Sequence, residues 1–147
     1  MAVKKQFELQ PVLNYRAELE KLRKQEFALA KQDLDAAADK LEQEKSEAAQ
    51  LAEEFSKRQQ EINSIYEMQL YADFFARKRE EMKEQQRRIE ALDRVLEDRR
   101  EDLVQATKEK KVMERLKEKQ KEEFRKEQAY KEGLLLDEIA TQKKGQE

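Results

Sequence analysis

The chain of 147 residues has no cysteine, no histidine and no tryptophan. Without Cys and His there can be no disulfide, no thiolate or imidazole metal site, and no Cys or His nucleophile. Pro11 is the only proline and Gly133 the first of two glycines, so residues 12–132 contain neither of the residues that most often end a helix. A phosphate-binding Gly-rich loop has no place before residue 133, and no EF-hand loop occurs. No apolar run approaches the ~20 residues that would span a bilayer, and residues 1–10 lack the apolar core of a secretory signal. A cytoplasmic protein is expected.

What is present is charge. Asp, Glu, Lys and Arg make up 45% of the chain, against roughly 25% in an average soluble protein. Hydrophobic residues are 37%, enough for a narrow seam between helices and little for a layered core. With 32 basic and 34 acidic side chains the net charge is only -2, which argues against nucleic-acid binding by bulk charge and against a self-repelling acidic tail. Ala, Glu, Lys, Arg and Leu fill 90 of the 147 positions, above the ~50% typical of coiled coils. Carboxylates abound, but a general acid or base needs a pocket that shifts its pKa, and a helical rod offers almost none. No enzyme activity and no cofactor are expected.

Disorder shares this composition, but periodicity opposes it. Phe27, Leu34, Leu41, Ala48, Phe55 and Ile62 recur every seven residues. Three positions after each stand Ala30, Ala37, Glu44, Leu51, Arg58 and Ile65, so ten of the twelve seam positions are apolar. A second ladder runs Phe75, Met82, Ile89, Leu96 and Leu103, with Leu92, Ala106 and Met113 in its companion row. Lys78, Gln85 and Arg99 interrupt that row, which predicts a looser seam. Upstream, Val12, Tyr15, Leu19 and Leu22 form an amphipathic lead-in whose phase differs from that of Phe27.

The ladders are out of register by one residue between Ile62 and Phe75, and the weak helix formers Asn63 and Ser64 lie between them. The expectation is an all-α fold, a single domain over residues 1–147 built as a long antiparallel two-helix coiled-coil hairpin. Helix 1 covers about 11–63, the turn about 63–71, helix 2 about 72–140, and a frayed tail 141–147. Folded so, Phe55 lies near Met82 and Leu41 near Leu92 or Leu96. The rival is one continuous helix dimerising in parallel, which handles the register slip poorly.

Residues 1–26 hold six basic and four acidic side chains, and residues 108–131 ten and six. In a hairpin these segments meet at the open end, whose positive charge invites an acidic partner. Nucleic acid is not expected there, since glutamates are interleaved and no reading motif occurs. Leu134, Leu135 and Leu136 cannot all face one seam, so at least one is available to a partner unless the triplet packs near Phe7 and Leu9. Tyr66, Met68, Leu70, Tyr71, Phe74 and Phe75 crowd the turn beyond what closing it requires, a candidate docking surface.

Phe7-x-Leu9-x-x-Val12-Leu13-x-x-Arg16, Phe27-Ala28-Leu29-Ala30, Tyr71-x-x-Phe74-Phe75, and the stretch from Leu116-Lys117-Glu118-Lys119 through Phe124-Arg125-Lys126-Glu127 to Leu136-Asp137-Glu138-Ile139-Ala140 occur in this order. In order, spacing and total length they resemble the flagellar export protein FliJ family, over nearly the whole chain. The resemblance implies an antiparallel coiled coil similar to the central stalk of rotary ATPases, cytoplasmic and peripheral to the inner-membrane flagellar base. It implies that the two-terminus end enters the hexameric export ATPase FliI and promotes its assembly, that the tip engages the export gate protein FlhA, and that export chaperones are escorted. Carried onto this sequence, the gate contact falls on Tyr71, Phe74 and Phe75. The ATPase contact falls on Arg16, Lys110, Lys117, Lys121, Leu134, Leu135, Asp137 and Ile139. Lys78 departs from the pattern, standing one turn after Phe74 where an apolar residue would extend the tip patch. A homologous injectisome stalk protein and a generic homodimeric coiled-coil tether are the alternatives.

Overall fold

The computed structural model describes residues 6–145. Two helices account for nearly all of them: α1 over Gln10–Arg58 and α2 over Ile65–Gly145. The fold is an all-α helical hairpin, as the ladders predict. α1 begins where Leu13 N–H donates to the Leu9 carbonyl at 3.0 Å. Pro11 then falls in the first turn, where a missing N–H costs no helical hydrogen bond.

The turn lies earlier than expected. The connection is residues 59–64, with Glu61 and Ile62 N–H donating to the Arg58 carbonyl at 2.9 and 3.1 Å. Ile62 is buried and closes the loop. Met68 N–H donates to the Ser64 carbonyl at 3.2 Å, so Ser64 caps α2. Among the described residues none has a positive φ, so the reversal needs no glycine. Gly133 sits inside α2, which runs on to Gly145 and includes most of the stretch expected to fray; residues 146–147 of that tail lie outside the described residues.

Two compact units divide the chain, Arg23–Leu103 and the pair of segments Met1–Leu22 and Val104–Glu147. In the first, which contains the turn, the early reversal changes the register. Phe55 meets Tyr71 and Phe75, with ring centroids at 5.1 and 6.0 Å, instead of Met82. Gln85 Nε2 donates to the Ala37 carbonyl at 3.0 Å and Lys78 Nζ to Glu44 at 2.7 Å. Leu41, between Ala37 and Glu44, therefore faces the stretch between Lys78 and Gln85 rather than Leu92 or Leu96. Ile65, placed by its spacing in the first seam, is instead 83% exposed because α1 has already ended.

Lys78 and Gln85 do not loosen the seam; they are buried within it together with Ala30, Ala37 and Leu41. In the second unit, Leu13, Glu20, Ala106 and Met113 are the buried side chains. Leu13 and Glu20 extend the Phe27 row upstream by steps of seven. The lead-in made by Val12, Tyr15 and Leu22 is therefore not seam: all three are exposed. Its different phase marks a different face of α1.

Candidate functional site

Chemistry on a chain of this composition means surfaces for partners, and the candidate surfaces divide into the turn end and the segments around the two termini. At the turn, Tyr71 is buried against Phe55. Its hydroxyl accepts from Arg58 Nη1 at 3.0 Å and donates to Glu54 at 3.3 Å, while Arg58 also donates to Glu67 at 2.6 Å. Bonding to Tyr71 and then to Glu67 pushes the Arg58 guanidinium above its ordinary value. Tyr71 is thus a packing residue of the turn, not an open contact. Phe75 is half-buried in an edge-to-face contact with Phe55. Phe74 is half-buried and carries Arg77 and Lys78 over its ring, each within 6 Å of the centroid.

The apolar surface left open here is made by Ile65, Tyr66, Met68 and Leu70 in the first two turns of α2. Ile65 had no functional reading in the sequence. The signal that places it is Ser64 followed three residues later by Glu67, the spacing of a helix N-terminus, which starts α2 before the aromatic cluster instead of after it.

Around the termini, the expected basic contacts separate into two kinds. Lys110 Nζ donates to the buried Glu20 at 2.9 Å and lies 3.6 Å from Glu114. The bond to Glu20 raises its pKa above the ordinary lysine value. Arg16 is ion-paired with Glu109 and lies over the Tyr15 ring. Both cations are engaged inside the unit. Lys117 and Lys121, by contrast, line an open cleft with Phe7, Pro11 and Phe124. From residue 131 onward every described residue except Gly133 is exposed, so Leu134, Leu135, Leu136 and Ile139 project from a stretch of α2 that no other described segment covers. The leucine triplet does not pack on Phe7 or Leu9; the side chains beside Phe7 are Lys117, Gln120, Lys121 and Phe124. Asp137 belongs to the same stretch, its carbonyl accepting from Thr141 Oγ1 at 2.8 Å.

The family model described as flagellar FliJ protein matches residues 5–147. The chain belongs to the FliJ family. It is a flagellar export accessory protein, and the two-helix hairpin is the form in which this FliJ sequence folds. Neither a curated protein nor a solved structure matches it. No described helix of this FliJ chain is long and apolar enough to cross a membrane.

Proposed function

We propose that this chain serves the flagellar export apparatus as a stalk that joins the export ATPase to the export gate. The observation that carries the reading is the end of α2, where Leu134, Leu135, Leu136 and Ile139 are open to solvent and no other described segment covers them. Exposed apolar side chains on a charged helix are costly unless something covers them. Lys117 and Lys121, which line the open cleft, supply the positive charge that an acidic ring lining would meet. Lys110 and Arg16 act one step back, holding the paired segment together.

The gate contact in this reading is made by Ile65, Tyr66, Met68 and Leu70, flanked by Phe74. Tyr71 and Phe75 behind it keep the turn closed through Phe55. Export chaperones, as further partners, have no separate surface in this assignment. The test is a chain ending at Glu132. It should keep its melting temperature, since the removed residues are exposed, and lose binding to the assembled ATPase ring. Retention of full ring binding would remove α2's end from the contact.

A further inference from the structure

We infer that Asn63 is a site of spontaneous deamidation, which leaves an aspartate or its isoaspartyl isomer at the entrance of α2. The inference goes beyond the stalk reading and does not depend on it. Asn14 and Asn63 are the two asparagines of the chain, and the fold places them in opposite backbone settings.

The reaction needs the N–H of the following residue free to attack the carboxamide. Exposure alone does not select the site, since both asparagines are exposed. Asn14 lies inside α1, and its side-chain oxygen accepts from Gln10 Nε2 at 2.9 Å. The next N–H, on Tyr15, is held by the helical bond to the carbonyl four residues back. Asn63 instead lies in the connection over residues 59–64, outside both helices. Ser64 follows it and stands just before α2, where N–H groups have no helical acceptor. The Ser64 carbonyl accepts from Met68 N–H at 3.2 Å, but among the described residues neither the Ser64 N–H nor the Asn63 carboxamide makes a hydrogen bond. Ser64 also presents a small side chain to the reaction where Tyr15 presents a ring.

The chemistry needs only water and hydroxide. Hydroxide takes the Ser64 amide proton, and the positive end of α2 favours the anionic nitrogen that results. That nitrogen attacks Cγ of Asn63; a new N–Cγ bond closes a five-membered imide while the bond from Cγ to the side-chain nitrogen breaks, and ammonia leaves with a proton from water. Water then opens the imide. Opening at the side-chain carbonyl restores the main chain and leaves an aspartate; opening at the main-chain carbonyl routes the chain through the side chain as isoaspartate. Either product adds one negative charge next to the exposed Ile65 and Tyr66. The isoaspartyl product also lengthens the backbone of a connection that the buried Ile62 closes.

The test holds the full chain at mildly alkaline pH, with and without urea, and follows its peptides by mass spectrometry for the change from amide to acid. In the folded chain Asn63 should convert at least about tenfold faster than Asn14, because the Tyr15 N–H is released only when α1 opens locally. Urea should speed Asn14 strongly and Asn63 little, and the rate at Asn63 should rise with pH. Asn63→Gln, which would have to close a larger ring, should abolish the change in that peptide. Asn63→Asp should melt no lower than the unsubstituted chain, since the added charge sits at a helix N-terminus. Conversion of Asn63 only in urea would show that the turn protects it, and the inference would fail. Equal rates at Asn14 and Asn63 in the folded chain, or no conversion at Asn63 under either condition, would overturn it as well.

Discussion

Lys78 and Glu44, each of which interrupts one of the two hydrophobic ladders, are partners: Lys78 Nζ donates to Glu44 at 2.7 Å and to Glu47 at 2.5 Å from within the seam. These two flaws complement each other across the seam. Lys78 is also 3.4 Å from Glu81, so three carboxylates surround an ammonium whose side chain is 11% exposed.

Lys78→Ala leaves Glu44 without its cation in a half-buried position and should lower the melting temperature clearly more than Lys83→Ala, whose ion pair to Glu80 is open to solvent. A double-mutant cycle of Lys78→Met and Glu44→Leu should show strong coupling, the double variant recovering part of the loss. Additive effects would mean that the pair is incidental.

The same bond sets a pH dependence. The Lys78 hydrogen bond holds the Glu44 carboxyl below its ordinary value. A depressed carboxylate contributes stability that is present above its unfolded pKa, about 4.3 for Glu, and is lost as pH falls through the folded one. Lys78, raised by Glu44 and then Glu47, contributes stability present below its unfolded value and lost only in strong alkali. Thermal melts between neutral pH and pH 2 should therefore show an acid-side decline that is shallower in Glu44→Gln. Identical slopes would assign the acid sensitivity elsewhere.

Register is directly measurable. Spin labels at Ala37 and Gln85 should sit on the order of 10 Å apart, an interaxial spacing, since Gln85 reaches the Ala37 carbonyl. Labels at Leu41 and Leu96 should be separated by roughly 20 Å more along the axis, at 1.5 Å per residue. The reverse order of distances would restore a turn near residue 67.

At the turn, stability and binding should separate. Tyr71→Phe removes the bonds to Arg58 and Glu54 and should cost about 0.5–1.5 kcal/mol. Tyr71→Ala also empties a buried site and should cost about 3 kcal/mol. Tyr66→Ala, at a residue 70% exposed, should leave denaturant midpoints unchanged and weaken gate binding. Loss of stability in Tyr66→Ala would show that this ring packs.

The ladders made the helical hairpin legible because a seven-residue repeat and a one-residue slip are properties of the chain alone. The unpaired leucines after Gly133 were legible for the same reason, since three in a row cannot share one face. The turn is misplaced because Asn63 and Ser64 read as weak helix formers that open the turn, whereas Ser64 with Glu67 three residues on starts α2, and a shift of a few residues at a turn displaces every antiparallel pair by twice that amount. Tyr71 was misassigned with it: an aromatic near a turn is exposed or buried according to which residue of the opposite helix it meets.

Local pattern thus determined that two long helices form with a break between them and that each carries an apolar row. Only the tertiary structure decided which polar residues belong inside. Lys78, Gln85 and Glu20 have the side chains of a solvated surface, and their burial rests on Glu44, the Ala37 carbonyl and Lys110 standing opposite them. A hydrogen bond across the seam depends on register, and register is set where the chain turns.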